Sequence, residues 1–277
     1  MVNQMNKYPF DWNVTVIETC YFKDVGRGQI IYGAHNQNNA DKTADQPGNI
    51  TIIQGYGHNI LVDTGISNQL YISAFNAEYV LTPEDYLPVV GLNCNIVDTI
   101  LVSHLHCDHI GFIDRFPNAK VIIQKEEYYG WQNVENLSER YHLVTQYLDP
   151  GTLSLFRHIE NSGNLILVED GYEVYPGLSV HLTKGHSFGT QSVKVQTKKG
   201  SIIVCGDSAY TIENIETMRP MGYGFNQLDM LISFDKILQL ADGKIENIVP
   251  GHDLNWPEKY PQTKSIQRKR NRITVLT

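Results

Sequence analysis

The chain has 277 residues, 42% hydrophobic and 19% charged, the make-up of an ordinary globular protein long enough to bury a substantial core. Its 22 basic and 30 acidic side chains leave a formal charge of −8, which argues against nucleic acid as a partner, and no Lys/Arg stripe crosses its interior. No apolar stretch approaches the length of a bilayer crossing, and Met1 to Trp12 lacks the apolar core of a secretory signal, so a cytoplasmic protein without a membrane partner is expected.

Asn13 to Phe22 is rich in β-branched residues and reads as a strand, as does Gly28 to Gly33. Ala34 to Gly48 turns polar through Asn36, Asn38, Asn39, Asp41, Asp45 and Pro47, which is loop chemistry. Asn49 to Ile53 and Asn59 to Val62 make a predicted hairpin through Gly55-Tyr56-Gly57. Its second strand ends in Asp63-Thr64-Gly65, where Asp63 either caps the next turn or orients a ligand histidine from behind. Thr82-Pro83-Glu84-Asp85 is a helix start, and that helix stops near Gly91. The apolar run Thr99 to Ser103 is a strand. Lys120 to Gln124 is another, and Lys125 to Trp131 reads as a helix. Asn133 to Ser162 carries aromatics and amphipathic pieces and fits an inserted helical segment. Strands resume at Leu165 to Val168, Leu178 to Leu182, Ser192 to Val195 and Ile202 to Cys205, and a helix from Gln227 to Leu240 precedes a final strand, Ile245 to Val249. The basic cluster Lys264, Arg268, Lys269, Arg270 and Arg272 reads as a solvated tail or subunit contact. Two sheet-rich halves flanked by helices predict an α/β sandwich. With no Pro/Gly/Ser linker between them, a single domain over 1–277 is preferred.

His104-Leu105-His106-Cys107-Asp108-His109 packs several potential metal ligands into one short run. If the backbone stays extended from Val102 to His106, His104 and His106 share a face, and Asp108 and His109 reach a second point once the chain turns. Neutral imidazole and carboxylate are the usual ligands of hydrolytic zinc, manganese or iron, so the run reads as half of a two-metal site. His186, Asp207 and His252 each follow a predicted strand, beside a glycine that lets the backbone come close. One edge of the sandwich thus gathers His104, His106, Asp108, His109, His186, Asp207 and His252. Cys107 reads as a buried filler. Cys20, Cys94, Cys107 and Cys205 contain no Cys-x-x-Cys pair, which indicates neither a zinc ribbon nor a disulfide framework and fits a reducing compartment.

The order His-x-His-x-Asp-His, then Gly-His, Gly-Asp and Gly-His, resembles the metallo-β-lactamase superfamily, and its dinuclear hydrolases in particular, from Asp63-Thr64-Gly65 to His252. The resemblance implies a four-layer αββα sandwich. It implies that His104, His106 and His186 hold one divalent ion and Asp108, His109 and His252 another, with Asp207 bridging; zinc is the first expectation, with manganese, cobalt or iron as alternatives. Asp207-Ser208-Ala209-Tyr210-Thr211 followed by Glu213-Asn214 is similar to the segment of N-acyl homoserine lactonases that sets a tyrosine, here Tyr210, beside the metals. Pyridoxolactone hydrolases are similar as well.

The expected activity is therefore the opening of a lactone ring, of an N-acyl homoserine lactone or a related small lactone, by a metal-bridging hydroxide. Tyr210 would stabilise the oxyanion, and Asp108 or Asp207 would relay the proton. A glyoxalase II-type thioesterase or another small-molecule ester hydrolase on the same site is the alternative. The expected partner is a small lactone or ester, and the chain a monomer or homodimer. Phe22, Phe112, Trp131 and Tyr223 line an apolar pocket or belong to the core. The segments Ala34 to Gly48 and Asn133 to Ser162, which vary in the family, shape the substrate pocket.

Overall fold

Alternation along the strands decides where the layers lie. Val14 and Val16, Ile60 and Val62, and Ile122 enter one buried cluster, while Ile17, Leu61, Val121 and Ile123 enter another, so a single sheet buries both of its faces. The computed structural model describes residues 10–34, 42–135, 137, 139–259, 264–268 and 271–276. In chain order the first strands and helices are β1 (Asn13–Gly26), α1 (Arg27–Ile30), β2 (Thr43–Gly55), β3 (His58–Val62), α2 (Gln69–Ala74), β4 (Ala77–Glu78), α3 (Pro83–Tyr86), β5 (Thr99–Leu101) and β6 (Lys120–Gln124). Next come α4 (Lys125–Val134), α5 (His142–Thr145), α6 (Thr152–Asn161), β7 (Leu165–Val168), β8 (Tyr172–Tyr175), β9 (Leu178–Leu182), β10 (Gln191–Thr197) and β11 (Gly200–Val204). The chain closes with α7 (Ile212–Thr217), α8 (Gln227–Leu240), β12 (Ile248–Val249), β13 (Lys264–Arg268) and β14 (Asn271–Leu276).

Among the described residues one sheet runs in the order β13-β14-β1-β2-β3-β5-β6-β7, with β4 added beside β1, and the other in the order β12-β11-β10-β9-β8. From β3 to β7 the first sheet is parallel. The register Val193↔Val204, Val195↔Ile202 and Val193↔Val180 puts these apolar side chains on one face of the second sheet. They join Val14, Val16 and Ile60 in the cluster between the sheets. Helices α4 and α6 pack on the outside of the first sheet, where Trp131 and Phe156 are fully buried, and α8 packs against β11 through Phe234 and Ile237. The order helix, sheet, sheet, helix is the αββα sandwich expected from the sequence. No described helix is long and apolar enough to cross a membrane.

Several boundaries differ from the sequence reading. Gly28 to Gly33 is not a strand: Ile31 N–H returns to the carbonyl of Arg27, and the Gln29 side chain accepts from the N–H of Gly26, closing the helical turn of α1. Of the predicted loop Ala34 to Gly48, residues 35–41 lie outside the described residues. Thr43 to Gly48 instead begin β2, paired across two irregularities with the end of β1, and their polar character belongs to a strand at the rim of the sheet. β5 ends at Leu101, so Val102 to His106 is irregular rather than extended strand. In the predicted strand Ile245 to Val249, the first three residues form a 3₁₀ turn closed by Asn247 N–H to the carbonyl of Lys244. The predicted C-terminal tail is a hairpin, β13 and β14, because Ile273 and Leu276 are buried; Lys269 and Arg270 lie outside the described residues. Asn133 to Ser162, expected to be helical, contains α5 and α6. β4, β8, α2 and α7 have no counterpart in the sequence reading.

Candidate metal centre

Every candidate ligand follows the carboxyl end of a strand: His104 to His109 after β5, His186 after β9, Asp207 after β11 and His252 after β12. β12 is parallel to β11, and β10 is antiparallel to both β9 and β11, so the three loops of the second sheet open on one edge. Ligand atoms of His104, His106, His186 and Asp207 lie within 4.8 Å of one another, and so do those of Asp108, His109, Asp207 and His252. Asp207 belongs to both groups and divides its oxygens between them. Its Oδ2 lies 3.8 Å from His104 Nε2 and 3.2 Å from His186 Nε2, and its Oδ1 lies 3.3 Å from His109 Nε2 and 2.9 Å from His252 Nε2. His106 enters through Nδ1, 3.0 Å from His186 Nε2, and Asp108 Oδ2 stands 3.4 Å from His109 Nε2.

The surroundings fix which nitrogen of three rings carries the lone pair. His252 Nδ1 is 2.7 Å from the carbonyl of Pro47, which can only accept, so Nδ1 is the donor there and Nε2 is the nitrogen left to face Asp207. His109 Nδ1 is 2.8 Å from Asp63 Oδ2 and donates to it in the same way. The Ser103 hydroxyl donates to Asp63 Oδ2 at 2.7 Å, which leaves it to accept from His104 Nδ1 at 3.0 Å. Asp63 therefore orients ligands from behind, one of the two roles open to it in the sequence. Its backbone is left-handed, φ 63°. Close packing completes the site: a Cβ on Gly251 would sit 2.7 Å from the carbonyl oxygen of Gly206 and 2.8 Å from Asp207 Oδ1.

His104 Nε2, His109 Nε2 and Asp207 Oδ1 are buried with no hydrogen-bond partner among the described residues. Each such orphan costs roughly 1–3 kcal/mol. His104 Nε2 falls in one group and His109 Nε2 in the other, so a cation at each, with Asp207 offered to both, would satisfy them, and the oxygen and nitrogen donor set suits divalent ions of the zinc type. Burial, reinforced by neighbouring histidines, pushes His104 and His106 well toward the neutral form that ligates. Burial also disfavours charge on His109 and His252, but Asp207 and Asp108 outweigh it and raise both. At Asp207 burial again opposes ionisation, and His252 and His109 overcome it, holding the carboxyl well below the usual carboxylate range.

A cavity of about 250 Å³ opens over these groups, with His106, Asp108, Asp207, Tyr210 and His252 in its wall. The ring of Tyr210 lies 5.0 Å from that of His252 and 5.5 Å from that of His186. Burial, then Asp207 and Asp108, push its hydroxyl well above the usual phenol range, so it stays protonated and able to donate. Phe22 and Tyr223 line the cavity. Trp131 and Phe112 do not: Trp131 is core, and Phe112 packs near Gly65. The segments Ala34 to Gly48 and Asn133 to Ser162 do contribute, through Gln46 on β2 and Tyr147 between α5 and α6. Cys107 is a buried free thiol outside both ligand groups, and Cys20, Cys94 and Cys205 are free as well.

The sequence profile of the Metallo-beta-lactamase superfamily matches residues 43–252. An N-acyl homoserine lactonase of Bacillus sp is 28% identical over 253 residues, covering 86% of this chain and 94% of that protein. One from Bacillus cereus is 32% identical over 209 residues, covering 70% and 76%. Among solved structures, a quorum-quenching N-acyl homoserine lactone hydrolase superposes with a TM-score of 0.65 at 27% identity, covering 88% of this chain and 93% of that one. With its two ligand groups sharing Asp207 at the edge of an αββα sandwich, and with a profile match spanning that whole edge, the chain belongs to the metallo-beta-lactamase superfamily.

Proposed function

We propose that this chain is a metal-dependent hydrolase that opens the ring of an N-acyl homoserine lactone or a related small lactone. The observation that carries the reading is the division of Asp207, one oxygen toward His104 and His186 and the other toward His109 and His252, beneath a cavity that also holds Tyr210. The similarity to proteins named N-acyl homoserine lactonase supports the substrate class. His104, His106 and His186 hold one ion, Asp108, His109 and His252 the other, and Asp207 contributes to both. Zinc is the first choice of metal, and a reducing cytoplasmic setting suits four free cysteines. The whole chain acts as one domain.

A bound pair of divalent ions supplies Lewis acidity and a water-derived nucleophile at neutral pH. The protein supplies the rest. The Ser103 hydroxyl, the Asp63 carboxylate and the Pro47 carbonyl hold the ligating tautomer of His104, His109 and His252 in turn. The protonated hydroxyl of Tyr210 donates to the ring carbonyl oxygen as negative charge develops there. Asp108, in the cavity wall and 15% exposed in its side chain, takes the proton released on attack and passes it to the leaving ring oxygen. The test is a panel of lactones, thioesters and phosphodiesters with metal-loaded and chelated protein. Metal-dependent ring opening of the lactones above the other classes is expected, and preference for a thioester or phosphodiester would overturn the reading.

A further inference from the structure

Glu127 lies in the first turn of α4 and is fully buried. Its Oε1 accepts from the backbone N–H of Leu105 at 2.8 Å and from Trp131 Nε1 at 2.7 Å. Its Oε2 accepts from the Ser187 hydroxyl and from the N–H of Gly189, both at 2.7 Å. Leu105 separates His104 from His106, and Ser187 follows His186. One carboxylate therefore grips both loops that supply the three-histidine group, although His106 and His186 stand 80 residues apart. The close seat depends on Gly189, where a Cβ would lie 2.3 Å from the backbone nitrogen of Glu127. Burial raises the pKa of Glu127 above that of an ordinary glutamate, yet all four partners are donors, a set that an ionised carboxylate satisfies and a protonated acid does not. Glu127 is not part of the cavity wall, so anything it does to the reaction passes through the ligands.

We infer that Glu127 is the positioning residue of the three-histidine group, locking the His104–His106 loop and the His186 loop into one unit so that their ring nitrogens converge on a single ion. The inference rests on the metal assignment proposed above. Asp63 stands directly behind His109 and, through Ser103, behind His104; Glu127 is a second buried acid, behind the loops of the three-histidine group.

The test is Glu127→Gln in the full-length chain, with zinc content read after equilibration against graded chelator. The amide sets an NH₂ against two donors and loosens both loops. One zinc is expected to bind about 10–100-fold more weakly, the usual effect of losing a residue that braces a ligand, while the other keeps its affinity. In the His252→Ala background, where the three-histidine group is the remaining site, the same loss is expected, and excess zinc restores activity to Glu127→Gln. Tyr128→Phe, on the same helix, breaks only the 2.7 Å bond from Tyr128 to Glu160 and should bind both zincs like the parent. If Glu127→Gln does not fold, Ser187→Ala removes one of the four donors and should weaken the same zinc several-fold. A parent chain that takes up fewer than two zincs defeats the metal assignment. A parent that takes up two, matched in both affinities by Glu127→Gln or by Ser187→Ala in its place, defeats the role of Glu127, as does an equal loss in Tyr128→Phe.

Discussion

Asp63 Oδ2 stands 2.8 Å from His109 Nδ1, across 46 residues of sequence, and the same carboxylate accepts from the backbone N–H of Ser103 at 2.8 Å. Its left-handed backbone is one that asparagine also adopts, so Asp63→Asn removes the charge with little conformational cost. Zinc at the Asp108, His109 and His252 group should then bind about 10–100-fold more weakly, measured by chelator competition. Melting of the metal-free protein should change far less. An unchanged affinity would mean that Asp63 is only a turn residue.

Tyr210→Phe keeps the ring against His186 and His252 and removes the donor. Its kcat on a lactone should fall on the order of 10²–10³-fold, with zinc content intact. An unchanged kcat would take Tyr210 out of the reaction and leave it a packing residue.

Gly251→Ala tests how closely Asp207 is packed. The added methyl would press on the carbonyl of Gly206 and on Asp207 Oδ1, so the shared ligand must move. A stability loss of about 1–3 kcal/mol is expected by denaturant unfolding. Because Asp207 lies in both groups, both zinc affinities should weaken together.

At the far end of the chain, Arg272 Nε lies 2.9 Å and Nη2 2.5 Å from Glu18 Oε1, whose side chain is only 5% exposed. Arg272→Met would leave Glu18 buried without its cation, at a cost of about 3–5 kcal/mol in unfolding free energy. Zinc content and kcat at a permissive temperature should be those of the parent. A loss below about 1 kcal/mol, the range of surface ion pairs, would mean that β14 is held by its apolar residues alone.

This last pair shows where the sequence misleads. Arg272 stands in a basic run that suggests solvent, but its neighbours Ile273 and Leu276 carry the chain back onto β1 and turn the charge inward toward Glu18. The start of β2 misleads in the opposite sense: Asp45 to Gly48 look like a loop, yet they pair with β1 and Gln46 to Gly48 are buried. The candidate ligands were legible because each is a polar side chain just past a dense apolar strand, a position with few uses other than chemistry. The residues behind them were not. Ser103, Glu127 and the carbonyl of Pro47 act through hydrogen bonds set by tertiary packing, which leave no periodic trace. For Glu127 the available signal was an acid at the head of a helix whose neighbours Tyr128 and Trp131 are large and apolar. Asp63 was visible as a candidate, but its two roles separate only when His109 is seen beside it.

The proposed lactone opening needs both of the ions that Asp207 would serve. Chelated protein should be titrated with zinc while acid release from an N-acyl homoserine lactone is followed in a pH-stat. Activity is expected to reach its plateau only as the second equivalent per chain binds, and Asp207→Asn to show no such plateau. Full activity at one equivalent, or lactone opening that persists in the chelated protein, would contradict it.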